Sequence, residues 1–173
     1  GFKSRSRRKH EAMKDKIIEL EERLKTAMLN SMDYSLIPAS EDDYDFCYSL
    51  TKQNMYDMFC RHWGGWVDSE FRKGFVPDNV QIILHSGERI GYFGYHLNED
   101  SIYVDNIQIL PQLQGCGIGT KILENFLTKY QYSVIRLTTF QDNPAKRLYE
   151  QLGFRVYAEY GTTIEMEKQP DQP

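Results

Sequence analysis

The sequence predicts an α/β (α+β) domain: a mixed, largely antiparallel central sheet flanked by helices, with an extra N-terminal helix. Three observations predict it. Val80 to His85 and Ile90 to His96 are strand-like runs joined by Ser86-Gly87-Glu88-Arg89, which reads as a hairpin. Residues 102–124, IYVDNIQILPQLQGCGIGTKILE, run as strand, glycine-rich turn and helix. Phe154 to Tyr160 and Thr162 to Glu167 face each other across Gly161 as a closing hairpin. At 173 residues one domain is expected.

Each element has its own signal. Residues 1–9, GFKSRSRRK, are basic and nearly free of apolar groups, so they are expected to be disordered. His10 to Leu29 reads as one helix, because Met13, Ile17, Leu20, Leu24 and Ala27 form a single stripe. That stripe can pack on the domain or pair with another chain, a homodimer being the simplest case. Tyr34 to Pro38 is a short first strand. Ser40-Glu41-Asp42-Asp43 is a capping box that opens a helix carrying Tyr44, Phe46, Cys47 and Leu50. Asn54 to Trp63 suggests a second helix and Asp68 to Phe75 a short third. Between them, His62-Trp63-Gly64-Gly65-Trp66 is a loop with two large flat side chains. The hairpin and main strand follow, then a helix over 116–129 and a strand over 133–140. Asn143 then caps a helix with Pro144 at N1, and Gly153 ends it.

The turn after the main strand carries the chemistry. Pro111 ends the strand, and glycines follow at 115, 117 and 119. Glycines let backbone approach a ligand, and a helix start offers unpaired N–H groups with a positive dipole end. The expected ligand therefore bears phosphate. A P-loop would need Gly-Lys-Ser/Thr, but the turn reads Gly119-Thr120-Lys121. A dinucleotide fingerprint would need G-x-G-x-x-G and an acid ending the next strand; neither is present.

What the turn does resemble is the GNAT superfamily of acyl-CoA-dependent N-acetyltransferases. Gln114-Gly115-Cys116-Gly117-Ile118-Gly119 is similar to that family's Gln/Arg-x-x-Gly-x-Gly/Ala motif, with Gln112-x-x-Gly115-x-Gly117 as a second register. Asn143-Pro144-Ala145-Lys146-Arg147-Leu148-Tyr149-Glu150-Gln151-Leu152-Gly153-Phe154 resembles its second motif. Asn143 stands one residue closer to Tyr149 than is usual, and Asp142 is an alternative occupant of the slot. The resemblance covers about residues 33–168. It implies an N-acetyltransferase domain over 32–168, starting near Met32, with 1–31 an appended arm and helix and 169–173 a tail.

It also implies a reaction: transfer of an acetyl group from acetyl-CoA directly to a primary amine. Backbone N–H groups of Gln114, Gly115, Cys116, Gly117, Ile118, Gly119 and Thr120 would hold the CoA pyrophosphate, with Asn143 nearby. Ile107, Gln108 and Ile109 would pair edgewise with the pantetheine arm, which requires the main strand to part from its neighbour. Tyr149 is the candidate acid at the leaving thiolate, since a phenol of ordinary pKa about 10 is protonated at neutral pH. A base is needed, because an alkyl ammonium has a pKa near 10.4. Leu137, Thr138 and Thr139 supply no acid where some relatives have one; Asp105 is the nearest candidate base, with proton loss to bulk water as the alternative. By strand alternation Asp105 shares a face with Tyr103 and Ile107, while Asn106 and Gln108 lie on the other. Trp63 and Trp66 are the candidate acceptor-binding residues. The rival function is a non-catalytic acyl-CoA sensor or scaffold.

Composition narrows the field further. The chain is 40% hydrophobic and 27% charged, ordinary for a globular protein. No apolar run approaches the ~20 residues of a membrane span, so no membrane partner is expected. Residues 1–16 carry seven Lys/Arg against two Asp/Glu, while the remainder nets −9. An acidic body argues against nucleic acid and suits a cationic amine. Three cysteines without paired spacing point to a reducing, cytoplasmic compartment, and no His/Cys spacing predicts a metal.

Overall fold

The computed structural model describes residues 2–30 and 33–173. Gly1, Ser31 and Met32 lie outside the described residues, and so does the Ala27 side chain of the predicted stripe. The chain order is α1 (Phe2–Asn30), β1 (Ser35–Pro38), α2 (Tyr44–Trp63), α3 (Asp68–Gly74), β2 (Val80–His85), β3 (Glu88–Leu97), β4 (Ile102–Ile109), α4 (Ile118–Lys129), β5 (Ile135–Phe140), α5 (Ala145–Gln151), β6 (Arg155–Tyr160) and β7 (Thr163–Lys168). The strands form one sheet in the order β1-β2-β3-β4-β5-β7-β6. Only β4 and β5 run parallel, joined by α4 as a crossover; the other neighbours are antiparallel.

The two faces of the sheet have separate cores. Over one face α2 packs Cys47 and Leu50 onto Val80, Ile82 and Tyr92. Over the other, Ile118, Ile122, Leu123 and Phe126 of α4 pack with Phe93, Val104, Ile109, Ile135 and Leu137. Tyr149 of α5 and Phe154 belong to this second core. Helices on both faces bury β3, β4 and β5 in the middle, which is where the glycine turn leaves the sheet.

Several local expectations need correction. The basic stretch is helical from Phe2 rather than disordered. Lys and Arg are good helix formers, and the Arg8 Nε–H donates to the Ser4 carbonyl at 3.3 Å. Met13, Ile17, Leu20 and Leu24 are each at least half exposed, so the body does not cover the stripe. The helices expected before and after residue 51 are one continuous α2. Nothing between Leu50 and Asn54 breaks a helix, and the Thr51 hydroxyl bonds back to the Cys47 carbonyl at 2.7 Å. The capping box at Ser40 forms, with the Asp43 carboxylate accepting from the Ser40 N–H at 2.9 Å, but it starts a short 3-10 turn that leads into α2. The hairpin turn is tighter than expected. Ser86 and Gly87 alone take positive φ, 49° and 79°, as a type I′ turn requires, and Glu88 and Arg89 belong to β3.

Candidate active site

The centre of the sheet opens into a cleft. β4 pairs with β5 through three residues only, ending at Val104 opposite Leu137. Beyond that point β4 stays with β3 and β5 stays with β7, so the two parallel strands part. The Leu110 N–H bonds the Ile90 carbonyl at 2.9 Å. Antiparallel alternation then turns the main-chain groups of residues 106, 108 and 110 toward β3, and those of Ile107 and Ile109 toward the gap. Of the three residues expected to present an edge, Gln108 therefore faces the wrong way. Its side chain is buried instead, accepting from Asn54 Nδ2 at 3.0 Å and donating to Asn106 Oδ1 at 2.8 Å. The Ile109 carbonyl is held by two amides, Asn54 Nδ2 at 3.0 Å and Gln114 Nε2 at 3.1 Å. Gln114 thus braces the turn to β4 through its side chain.

The turn itself is an array of donors. Gly115 and Gly117 take left-handed φ of 73° and 86°, and an added Cβ at either would meet open space. Cys116, with negative φ, sits between these two left-handed glycines, and such an alternation of hand can gather successive N–H groups around an anion. The Lys121 N–H reaches the Gly117 carbonyl at 3.0 Å as the first helical bond of α4. The N–H groups of Ile118, Gly119 and Thr120 precede it at the positive end of the helix. The left-handed Gly117 is also why α4 begins at Ile118 rather than at residue 116. Gly119 faces β4 instead: a Cβ added there would stand 3.9 Å from Ile107 Cδ1 and Ile109 Cγ1, an ordinary contact. Cys116 is buried, its thiol donating to the Gln114 carbonyl at 3.5 Å.

On the α2 side of the sheet, β4 carries a bulge. Gly94 faces Asn106 and Tyr95 faces Val104, which leaves Asp105 without a partner. The extra residue shifts the alternation by one. Ile107 and Ile109 join Val104 on the α4 face, and Asp105 does not share a face with Ile107, contrary to strict alternation. Asp105 and Asn106 both line a cavity of about 740 Å³ between the sheet, α2 and α3. Trp63 and Trp66 line it too. Asp105 does not stand alone there: its Oδ2 lies 2.8 Å from His96 Nδ1, and His96 also lines the cavity. His96 escaped the sequence reading. The hairpin register offered a signal, since His96 faces Tyr103 and a residue two further along is its diagonal neighbour.

The β5–α5 corner completes the site. β4 and β5 point the same way, so α4 and α5 both start at the same end of the sheet, the open end of the cleft. The Asn143 side chain accepts from the Ala145 N–H at 2.9 Å and donates to Thr139 Oγ1 at 3.0 Å, so it caps the corner as expected. Asp142 faces elsewhere, 2.7 Å from His62 Nε2 and 3.4 Å from Arg61, tying the corner to the end of α2. The His62 hydrogen bond, then the Arg61 charge, hold its carboxyl below the usual range. Tyr149 lies on α5, buried against Phe154 with ring centroids 6.0 Å apart. Burial pushes its phenol above its ordinary value. Among the described residues no group of three or more His, Cys, Asp or Glu could hold a metal, and no helix is long and apolar enough to cross a membrane.

Known structures share this fold. The family model of the acetyltransferase (GNAT) domain matches residues 77–156. Among curated proteins none matches the chain. Three solved structures illustrate the likeness. PaiA N-acetyltransferase from Thermoplasma acidophilum, in complex with coenzyme A, is 16% identical with a TM-score of 0.61, over 80% of this chain and 99% of that one. The ribosomal-protein-S18-alanine N-acetyltransferase of Escherichia coli is 19% identical at 0.61, over 82% and 96%. An acetyltransferase from Thermus thermophilus is 17% identical at 0.63, over 79% and 97%. At these identities the likeness establishes the fold. The parted strands, the glycine turn and the Tyr149 helix all fall inside residues 77–156, the segment that matches the acetyltransferase (GNAT) domain, and the fold around them is the one these N-acetyltransferase structures share.

Proposed function

We propose that the protein is an acetyl-CoA-dependent N-acetyltransferase that moves the acetyl group directly onto a primary amine. One observation carries this reading: β4 parts from β5 beside the glycine turn, with the Ile107 and Ile109 N–H groups facing the gap. A pantetheine chain lying there would add as a strand, bonded to main chain. Residues 115–120 would receive the pyrophosphate through backbone N–H groups. The Ile109 N–H, next to a carbonyl already held by Asn54 and Gln114, would stabilise charge building on the thioester oxygen.

Acetyl-CoA supplies an activated acetyl group; the chain's residues manage two protons. The amine must shed one before its nitrogen attacks the thioester carbon. Asp105 is the candidate base by sequence, but its carboxylate is bonded to His96 Nδ1. We assign the base to His96: Asp105 orients the ring and Nε2 takes the proton. As the C–S bond breaks, Tyr149 donates a hydrogen bond to the sulfur. A phenol raised above its ordinary value gives up its proton to a thiolate only uphill, so the bond carries more of the benefit than full transfer. Asn143 shapes the corner through its two side-chain bonds.

The test is Tyr149→Phe, with thiol release followed in the presence of an amine panel and CoA affinity followed by calorimetry. Turnover is expected to fall about a hundredfold with CoA affinity unchanged. A protein that binds CoA equally in both forms and acetylates nothing in either is the acyl-CoA sensor or scaffold. One that gives no heat with acetyl-CoA at millimolar concentration has no such site.

A further inference from the structure

The 740 Å³ cavity beside Asp105 is unequal at its two ends. One end is a wall of rings. Trp63 lies 4.8 Å from Phe59, Phe59 lies 5.2 Å from Trp66, Trp66 lies 5.9 Å from Phe71, and Phe71 lies 6.2 Å from Phe75, all between centroids. All five rings line the cavity. Their geometry is braced. The Trp66 Nε1–H donates to Asp68 at 2.8 Å, leaving the indole faces for packing. Gly64 and Gly65, with φ of 77° and 155°, make the sharp turn that brings both tryptophans to the same cavity. Trp63 is 59% exposed, a large apolar area to leave uncovered at a cavity wall. The other end is polar, at His96, Asp105 and Asn106.

Charge restricts the occupant further. Two carboxylates line the cavity, Asp105 and Glu70. Asp105 is bonded to His96, and Glu70 lies 3.6 Å from Lys73 on the exposed surface of α3. Among the described lining residues no carboxylate remains inside the ring wall to receive a second cationic centre. The second ammonium of a polyamine would find ring faces there but no carboxylate to pair with, and a lysine acceptor would set its polar backbone against the rings at a desolvation cost. An apolar body would instead bury its surface there and add ring–ring contacts.

We infer that the acceptor is a primary amine carried a short distance from an aromatic body, with the ring against Trp63, Trp66 and Phe71 and the nitrogen at His96 and Asp105. This rests on the acetyl-transfer reading and names its substrate class. Such an amine exists free or as the N-terminus of a peptide beginning with an aromatic residue, and the assay separates the two.

The experiment measures kcat/KM by thiol release for 2-phenylethylamine, tryptamine and Phe-Gly-amide against spermidine and Nα-acetyl-lysine amide. The aromatic amines are expected to lead by about tenfold or more, with the ratio of phenylethylamine to Phe-Gly-amide identifying the source. Trp66→Ala is expected to remove about tenfold of that lead through KM, and Trp66→Phe to restore most of it. Equal or better rates with spermidine or the lysine amide overturn the inference while leaving acetyl transfer intact. So does a Trp66→Ala protein, folded by its melting curve, that keeps the wild-type preference. If no amine is acetylated, the CoA-loaded protein is titrated by calorimetry. Tryptamine heat that vanishes in Trp66→Ala upholds the aromatic site and refutes the enzyme. Heat from neither amine, or only from spermidine, overturns the site.

Discussion

Replacing Gly91 by alanine should pry the reacting strand from its neighbour. A Cβ at Gly91 would stand 2.3 Å from the Gln108 carbonyl oxygen, 3.1 Å from Ile109 Cδ1 and 3.2 Å from Ile83 Cδ1. The first contact is backbone and cannot rotate away. The β3–β4 ladder must open by about 1 Å there to reach an ordinary contact. Overpacking of this kind costs about 1–3 kcal/mol, and each stretched ladder bond adds about 0.5–1.5 kcal/mol. Against this, alanine lowers unfolded-state entropy by about 0.4–1 kcal/mol. The net expectation is about 2–3 kcal/mol of destabilisation. Gly94 is the internal control on the same strand: its Cβ would meet nothing nearer than 3.6 Å, so Gly94→Ala should fall within about 0.5 kcal/mol of wild type or be slightly more stable. Urea unfolding at pH 7 reads both. The displaced carbonyl lies between Ile107 and Ile109, so kcat/KM for acetyl transfer should also fall, by up to about a hundredfold for a 1 Å misplacement. A Gly91→Ala protein as stable as Gly94→Ala would refute the contact argument. One that is destabilised yet fully active would refute the role given to the β4 edge.

Three further outcomes follow from the same geometry. In His96→Gln, kcat should fall about a hundredfold with CoA affinity unchanged, whereas Asp105→Asn, which leaves the ring in place, should fall less; a His96→Gln protein with wild-type kcat removes His96 as base. Asp142 has its carboxyl held down by His62 and Arg61 in the folded state, so its contribution is present above the ordinary carboxylate range and lost as pH falls through the folded value. Melting curves of Asp142→Asn and wild type should therefore differ at pH 7, begin to draw together near about pH 4 and converge only below the depressed folded value; a gap constant with pH would show that the ionised carboxylate contributes nothing. Removing residues 1–31 should leave the melting temperature of the body and its acetyl transfer unchanged, because the α1 stripe is exposed along Met13, Ile17, Leu20 and Leu24; a large drop would mean that the helix covers the body in solution.

Much of the site was legible because its signals are local. Gly115 and Gly117 sit where only glycine adopts left-handed φ without strain, and that need is written into a six-residue window. The Asn143-Pro144 start of α5 and the Ser40–Asp43 capping box are likewise contacts between residues two or three apart. Trp63 and Trp66 both line the cavity because Gly64 and Gly65 turn the chain sharply between them, a local signal. What was missed is non-local. The Asp105 bulge depends on how β4 counts against β3, and a single unpaired residue moves Ile107 to the opposite face. His96 became visible only when that pairing set it 2.8 Å from Asp105. Asn54 reaches β4 from α2 across more than fifty residues of chain, with nothing in its neighbourhood to announce the contact.

By itself, then, the order of residues determined the strands, most helix starts and stops, the glycine turn and the resemblance to GNAT domains, because each follows from propensities and dihedral limits within one turn or one hairpin. The tertiary structure alone decided that β4 separates from β5 after Val104, that the bulge delivers Asp105 to His96, and that five rings from α2, α3 and their linkers meet in one wall. Those outcomes depend on which surfaces are buried against which. Burial is a property of the whole folded chain, so no window of sequence contains it.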